Sequence, residues 1–190
     1  GESAKRRRSW QAVPRGDKQK YRDLWDEWEK RTTSEERSAV FFYKEDSIPI
    51  NDVLRGGGEF RNKKHEAHKK NLTRLLERSN IPQDTVVYRG ALAEFYDHLK
   101  EGDTFRDRGF VSTSLDSDIH ETFGDPYGEG FDVVQLTILV PKGSRGAYIG
   151  RLSQGDVSRE VLLQRNSLFR VLKKKNGKLL VMLLPRREAK

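Results

Sequence analysis

The chain has 190 residues, enough for one domain with its own core, and we expect no second independent core. Hydrophobic residues make up 34% of the chain and charged residues 35%, but clear apolar periodicities remain, so the composition excludes wholesale disorder. The net charge of +8 favours acidic or polyanionic partners. The absence of cysteine excludes disulfides, thiolate metal sites and cysteine nucleophiles. No apolar run approaches the roughly 20 residues of a membrane span, so no membrane partner is predicted.

The first fifteen residues carry the basic run Lys5-Arg6-Arg7-Arg8 and no apolar period. Such a run either binds nucleic acid or forms a solvated tail. Because solvated tails are the commoner case, we interpret 1–15 as a basic lead-in or linker. Residue 1 is glycine and the only methionine is Met182, which predicts that the chain is a processed or excised piece of a longer polypeptide.

Helical patterns fill the chain from residue 16 to residue 80. Tyr21, Leu24, Trp25 and Trp28 share a helical face that we expect to be buried. The predicted helices are Asp17 to Arg31, a helix running through Phe42 after the cap-like Thr33-Ser34-Glu35-Glu36, Asp52 to Arg55 ended by Gly56-Gly57-Gly58, and Asn62 to Ser79.

The last of these helices is basic and amphipathic, with leucines inside and lysines outside. His65 and His68 lie about one turn apart on it and could share a metal ion, but no third ligand is evident nearby, so we expect both to be solvated. No metal site is predicted.

After Pro82 the pattern changes to short apolar runs separated by Gly, Asp, Asn and Pro. The predicted strands are Thr85 to Tyr88, Gly109 to Ser114, Val133 to Val140, Gly146 to Ile149, Val161 to Leu163, Phe169 to Lys173 and Leu179 to Leu184, with helical interludes at Leu92 to Leu99 and Ser117 to Phe123. This order predicts an α+β fold, with two packed, mainly antiparallel sheets and a helical N-terminal layer. We expect a single domain over 16–190, with a helical part 16–80 and a strand-rich part 81–190.

Three segments carry residue types suited to chemistry on a phosphate-bearing substrate. Arg89 ends an apolar strand and is followed by Gly90. A guanidinium can bind two phosphate oxygens at once, and glycine permits the backbone to approach a ligand closely. An arginine at a strand end is, however, often only structural. Ser112 lies in a hydroxyl-rich strand. Its hydroxyls either bind neighbouring backbone in a half-buried strand or orient a catalytic carboxylate. Glu160 opens another apolar strand, where its carboxylate is either exposed or stabilises positive charge at an anomeric carbon.

These segments together resemble a known family. Tyr88-Arg89-Gly90, Phe110-Val111-Ser112-Thr113-Ser114 and Glu160-Val161-Leu162-Leu163 resemble the signature segments of the arginine-serine-glutamate class of mono-ADP-ribosyltransferases, which includes bacterial toxins and the enzymatic components of clostridial binary toxins. Tyr43 with Ile50-Asn51 and Leu54-Arg55 resembles the helix ahead of the NAD cleft, and the similarity extends over residues 36–172.

The resemblance implies an ADP-ribosyltransferase fold in which NAD is the substrate. Glu160, Arg89 and Ser112 are then the catalytic residues: Arg89 holds the NAD phosphates, Ser112 orients Glu160, and Gly90 offers backbone hydrogen bonds to the nicotinamide amide. The predicted NAD contacts are Arg89, Gly90, Ser112, Thr113, Ser114, Phe123, Tyr43 and Asn51. Phe123 either packs on nicotinamide or is a core residue at a helix end.

The acceptor loop departs from the family pattern. Ser158 stands two residues before Glu160, where family members commonly carry Glu or Gln, and Gly155 stands where an aromatic residue is often found. An arginine acceptor therefore loses its usual carboxylate partner. Gln154 or Asp156 supplies the missing polar contact, or Ser158 is an altered residue in an engineered, less active form.

The predicted function is transfer of ADP-ribose from NAD to a macromolecule with release of nicotinamide. A protein acceptor is the family default, and the cationic surface makes RNA or DNA the alternative. An NAD glycohydrolase and a catalytically degenerate binding module of the same fold are the competing readings. By the resemblance we expect a monomer that a bacterium secretes or injects, that acts in the target cell cytoplasm, and that is paired with a neutralising immunity protein.

Overall fold

The structure, a computed structural model, describes residues 10–118, 132–152 and 159–185. Its N-terminal part is helical, as predicted. The helices are α1 Lys18–Asp23, α2 Asp26–Lys30, α3 Ser34–Glu45, α4 Ile48–Gly56 and α5 Lys63–Glu77. None of the helices in these ranges has the length and apolar character that crossing a bilayer requires.

The helix predicted over Asp17 to Arg31 is divided in two at Leu24 and Trp25. The backbone N–H groups of Leu24 and Trp25 donate to the carbonyls of Tyr21 and Arg22, three residues back, which tightens the helix at this point. Trp25 is 2% exposed while Leu24 is 52% exposed, so the prediction that Leu24 shares the buried face was wrong.

The third and fifth helices begin and pack as their sequences predict. Thr33 and Glu36 form a capping box at the start of α3, in which each side chain accepts a hydrogen bond from the other residue's backbone N–H. In α5 the buried side chains are Leu72, Leu75 and Leu76, each with no exposed surface. These leucines anchor the helical layer to the core.

The two histidines of α5 pack on an aromatic ring. The ring of His68 stacks on Phe42 with 4.5 Å between centroids, and the ring of His65 lies 5.2 Å from the same phenylalanine. Burial, followed by the charges of His65 and Lys64, lowers the pKa of His68. The expectation that both histidines are simply solvated is therefore corrected to a contact between α3 and α5.

Among the described residues, eight strands form one hydrogen-bonded sheet in the order β2-β7-β8-β4-β1-β3-β6-β5. Their bounds are β1 Thr85–Leu92, β2 Thr104–Asp107, β3 Val111–Ser114, β4 Val133–Val140, β5 Gly146–Tyr148, β6 Glu160–Leu163, β7 Ser167–Lys175 and β8 Lys178–Leu183. Of the pairings between these described strands, only β4–β8 is parallel. The predicted α+β class with mainly antiparallel pairing is confirmed.

The expected pair of sheets corresponds to two parts of this one sheet. A single residue pair, Tyr88 opposite Ser114, joins β1 to β3, whereas β1 and β4 are paired along eight residues. The sheet therefore divides into a five-strand part that ends at β1 and a three-strand part that begins at β3. Both parts contribute buried side chains to one hydrophobic core, for example Leu136 and Val171 from the first and Ala147 and Val161 from the second.

Two local predictions differ from the structure. Strand β2 was not predicted, because its four residues have no apolar alternation beyond half-buried Phe105 and depend on pairing with β7. The helical interlude predicted over Leu92 to Leu99 contains one 3-10 turn, Ala93–Phe95, because Leu92 extends β1. Most of the interlude predicted over Ser117 to Phe123 lies outside the described residues.

Candidate active site

The strand order brings together the three residues predicted to be catalytic. Strand β3 lies between β1, which carries Arg89, and β6, which begins at Glu160. A terminal guanidinium nitrogen of Arg89 donates to the backbone carbonyl of Ser112 at 3.1 Å. Glu160 pairs across the ladder with Ser114, two residues beyond Ser112 on the same strand. Residues more than twenty positions apart in sequence thus meet at the junction between the two sheet parts.

A buried tyrosine lies at the centre of this group. The hydroxyl of Tyr43 shares a hydrogen bond with Ser112 Oγ at 2.7 Å, and its residue is 2% exposed. Burial raises the pKa of Tyr43, the negative charge of Glu160 raises it further, and the hydrogen bond with Ser112 and the positive charge of Arg89 oppose the rise. The three predicted catalytic side chains therefore all interact with one phenol from α3.

Asn51 holds the strand that carries Ser112. Its amide nitrogen donates to the Phe110 carbonyl at 3.2 Å and to the Tyr43 hydroxyl at 3.1 Å, and its amide oxygen accepts the Phe110 N–H at 3.0 Å. The residue is 4% exposed. The Asn51 amide of α4 thus donates to and accepts from the Phe110 backbone, and so fixes the chain just before Ser112. In this structure the amide supports the strand.

The other hydroxyls of β3 bind neighbouring backbone. Thr113 Oγ1 donates to the Val161 carbonyl at 2.6 Å, and Ser114 Oγ accepts the Asp116 N–H at 3.0 Å. Both residues are almost fully buried. They align β3 with β6 and hold the chain that follows β3. Gly90 is buried in the β1–β4 pairing, opposite Gln135.

Arg89 has a donor that protein groups do not satisfy. Its Nε is buried and has no hydrogen-bond partner among the described residues, although a terminal nitrogen of the same guanidinium binds the Ser112 carbonyl. A buried cationic donor without a partner is costly. An anionic ligand at this position would satisfy it, so the residues present fit a phosphate-bearing substrate.

Arg55 supports the same strand. It was not predicted from the sequence as a site residue. Arg55 contacts Asp107 through two nitrogens at 3.0 and 3.3 Å and donates to the Phe110 carbonyl at 3.2 Å. Gly109 leaves room for this arginine, because a Cβ at that position would lie 2.8 Å from Arg55 Nε. No local sequence signal indicates this contact, because Arg55 and Asp107 are 52 positions apart.

The backbone immediately before Glu160 is held by an ion-pair cluster. Arg159 has a φ of 45°, in the left-handed region that non-glycine residues adopt at a cost. Its guanidinium lies 3.1 Å from the carboxylate of Asp116, which also binds Lys18 of α1, and its carbonyl accepts the Leu115 N–H at 3.2 Å. Asp116 and Arg159 were not predicted to be site residues.

Four predicted site residues lie outside the described residues: Phe123, Gln154, Asp156 and Ser158. The predicted acceptor loop and the aromatic contact to nicotinamide therefore stay predictions. Within residues 10–118, 132–152 and 159–185, no group of three or more His, Cys, Asp or Glu side chains is arranged to hold a metal ion.

The fold and this strand junction define a class of protein. The model of the ADP-ribosyltransferase exoenzyme family matches residues 18–182, and the chain belongs to that family. A curated relative, the NAD(+)–arginine ADP-ribosyltransferase EFV of Enterococcus faecalis, is 30% identical over 155 residues, which cover 77% of this chain. The match spans 30% of the relative's length.

Solved structures share the fold. Plx2a, an ADP-ribosyltransferase toxin from Paenibacillus larvae, has a TM-score of 0.74 at 20% identity, covering 89% of this chain and 97% of that one. C3stau2 from S. aureus, solved with NAD, has a TM-score of 0.75 at 18% identity, covering 93% of this chain and 99% of that one. The predicted family and fold are confirmed.

Proposed function

We propose that this chain is an NAD-dependent mono-ADP-ribosyltransferase that transfers ADP-ribose to a protein and releases nicotinamide. The observation that carries the proposal is that Arg89, Ser112 and Glu160 lie on three neighbouring strands, with Arg89 bound to the Ser112 carbonyl. Family membership supplies the reaction class, and the NAD(+)–arginine activity in the relative's name supplies the substrate.

Arg89 is proposed to bind the phosphates of NAD. Its guanidinium is already fixed by the Ser112 carbonyl, while its buried Nε has no partner among the described residues. A fixed guanidinium loses little conformational freedom when it binds phosphate. The contact would hold the dinucleotide with its nicotinamide end towards β3 and β6.

Glu160 is proposed to stabilise the charge that develops when NAD is cleaved. As the bond between the anomeric carbon and the nicotinamide nitrogen breaks, nicotinamide leaves with the electron pair and becomes neutral, and the ribose gains positive charge. A carboxylate beside that carbon favours the transition state more than the ground state. The acceptor then forms the new bond to the anomeric carbon and loses a proton.

Ser112 and Tyr43 are proposed to position the glutamate. Their 2.7 Å hydrogen bond places two hydroxyls next to each other, within the electrostatic reach of Glu160. Asn51 holds the same strand through the backbone of Phe110. A carboxylate kept in place by such contacts needs little rearrangement during the reaction.

The acceptor is proposed to be an arginine side chain of a protein. The curated relative carries this activity in its name. Ser158 lacks the carboxylate that usually accompanies an arginine acceptor, so Asp156 is proposed to supply it. The net charge of +8 favours an acidic protein surface around the modified arginine, and it also makes nucleic acid the alternative acceptor.

The proposal is tested by nicotinamide release from NAD with and without agmatine, a small analogue of the arginine side chain. We expect release to be faster with agmatine and the label of adenine-labelled NAD to appear on agmatine. Glu160→Gln keeps the size of the side chain and removes its charge, so the rate should fall about 100-fold or more. The matched control is Glu59→Gln, at an exposed position with no contact to the site, which should leave the rate unchanged.

The other outcomes identify the competing functions. Release that agmatine does not change, with no label on added protein or RNA, indicates an NAD glycohydrolase. If RNA or DNA carries the label, and nuclease removes the label while protease does not, the acceptor is a nucleic acid. Equal release by the wild type and Glu160→Gln refutes the assignment of Glu160.

Delivery by a bacterium to another cell is proposed on the basis of the relatives. Plx2a is a toxin, and the matching family is one of exoenzymes. We propose that residues 16–190 form a single transferase domain that acts in the cytoplasm of the target cell.

A further inference from the structure

A cavity of about 270 Å³ lies at the end of the sheet away from Glu160. Its walls are the turn 141–145 after β4, the connection 164–168 between β6 and β7, and the end of β8 at 183–185. We call it the turn pocket. Glu160 begins β6 and Gln164 follows its last residue, so at about 3.3 Å per residue they lie roughly 13 Å apart, and the pocket is separate from the candidate active site.

The lining of the turn pocket carries cations and no acids. Lys142, Arg145 and Arg165 line it, and none of its described lining residues is Asp or Glu. None of these three side chains forms an ion pair with a carboxylate in the part of the chain that the structure describes. The described lining itself therefore contributes three positive charges.

Two of these cations are half-buried and held in place by neutral partners. Arg145 donates to Asn80 Oδ1 at 2.9 Å, and Arg165 donates from Nε to Thr73 Oγ1 at 3.0 Å. Each guanidinium has five N–H donors, and these contacts use only one of them. The remaining donors are available to a ligand, and the arginines are oriented before it binds.

Two carboxylates lie beside the turn pocket and bind neutral groups of its lining. Asp84 accepts the backbone N–H of Lys142 at 2.8 Å, and Glu77 accepts a hydrogen bond from Gln164 at 3.2 Å. Burial lowers the pKa of Lys69 on α5, and the positive charge of Arg165 lowers it further. Half-buried arginines without a carboxylate partner among the described residues are unfavourable for folding, and an anion in the pocket would relieve this.

The floor of the turn pocket is apolar. It includes Leu168, Leu183 and Leu184, of which the last two are buried. A bare inorganic ion would use the cations and leave this surface in water, whereas a ligand with an organic part would cover it. Three cations match the charge of a phosphate dianion better than that of a single carboxylate.

We propose that the turn pocket binds a small organic phosphate. Arg145, Arg165 and Lys142 hold the phosphate group, and the leucines contact the organic part. The site is independent of the transferase activity proposed above, because none of its residues belongs to the Arg89, Ser112 and Glu160 group.

The test is calorimetric titration of the whole 190-residue chain with phenyl phosphate and with inorganic phosphate, which are poor mimics of NAD. We expect phenyl phosphate to bind with a dissociation constant of about 1 mM or below and inorganic phosphate at least 3-fold more weakly. Arg145→Gln and Arg165→Gln should each weaken phenyl phosphate about 10-fold. Lys142→Gln should weaken phenyl phosphate binding by a smaller factor. Because Lys142 lies in an exposed turn that does not support the core, this variant tests the pocket even if an arginine variant fails to fold.

Two control variants locate the binding. Arg170→Gln removes the same charge from an exposed position on β7 outside the pocket, and Arg89→Gln removes the proposed clamp in the NAD cleft. Both should bind phenyl phosphate as the wild type does. The proposal is overturned if phenyl phosphate does not bind, if the three pocket variants bind it as tightly as the wild type, or if Arg89→Gln alone abolishes binding. Equal affinity for the two phosphates overturns the role of the leucines.

Discussion

The left-handed conformation of Arg159 places a strained residue directly before the proposed catalytic carboxylate. A non-glycine residue at a φ of 45° is held there by its surroundings, in this case by Asp116 and by the hydrogen bond from Leu115. Asp116 also binds Lys18, so a single carboxylate links the start of β6 to helix α1. The position of Glu160 therefore depends on groups outside the set predicted to contact NAD.

Exchange of Arg159 tests this dependence. Arg159→Ala removes the ion pair and keeps the cost of a positive φ, so we expect the rate of nicotinamide release to fall on the order of 10-fold. Arg159→Gly also removes the ion pair, but glycine adopts this conformation freely, so it should retain more activity than the alanine variant. Steady-state kinetics should show the loss mainly in kcat, and thermal unfolding serves as the stability control. Equal rates for the two variants would contradict a role for backbone strain.

Residue types and spacing were enough to find Arg89, Ser112 and Glu160, because each lies within or at the end of an apolar strand in the family's order. The structure places them on neighbouring strands, and their roles stay predictions. Arg55 and Asp107 form a pair across more than fifty residues and Asp116 belongs to a loop, so neither local pattern nor periodicity could identify them.

At the scale of the elements, helix α3 depends on a buried charge. Glu36 has no exposed surface, forms the capping box with Thr33 and binds two nitrogens of Arg78 at 2.6 and 2.8 Å. Burial by itself would raise the pKa of Glu36, but the hydrogen bonds from Arg78 and Thr33 and the charge of Arg78 outweigh it and lower the pKa to about 2. The ionised form thus joins α3 to the end of α5.

Glu36→Gln should lower the free energy of unfolding at neutral pH by on the order of 3 kcal/mol. A carboxyl whose pKa is lowered on folding contributes stability that is complete above its ordinary pKa of 4.5 and is lost as the pH falls towards 2. The difference between wild type and variant should therefore shrink as urea unfolding is measured from pH 6 down to pH 3. Exposed Glu59→Gln is the control, and a difference that does not change with pH would contradict the assignment.

The helices were predictable where their caps are local, as at Thr33 and Asn62. The break at Leu24 was not, because periodicity continues through it. Arg151, more than a hundred residues away, lies 2.5 Å from Asp26 in α2 and 3.7 Å from Asp23 in α1, and so binds both sides of the break. Strand β2 is likewise specified by its partner β7 rather than by its own sequence.

For the molecule as a whole, contacts between the helical and strand-rich parts predict that 16–190 unfolds as one unit. Tyr21 is buried and shares a hydrogen bond with Thr85 at 3.2 Å, and the Arg151 and Lys18 ion pairs cross the same boundary. We expect a single transition in calorimetry, with equal calorimetric and van't Hoff enthalpies. Arg151→Ala should lower its midpoint without splitting it. Two separate transitions in the wild type would indicate two domains.

The junction at Tyr88 and Ser114 has a mechanical consequence. One pair of residues joins the backbones of β1 and β3 in the ladder, and the Arg89 guanidinium binds the Ser112 carbonyl across the same junction. Arg89 belongs to the five-strand part of the sheet, and Ser112 and Glu160 belong to the three-strand part. If NAD binds residues of both parts, as proposed above, it would add a further link across this junction, so that binding the substrate would also stiffen the sheet.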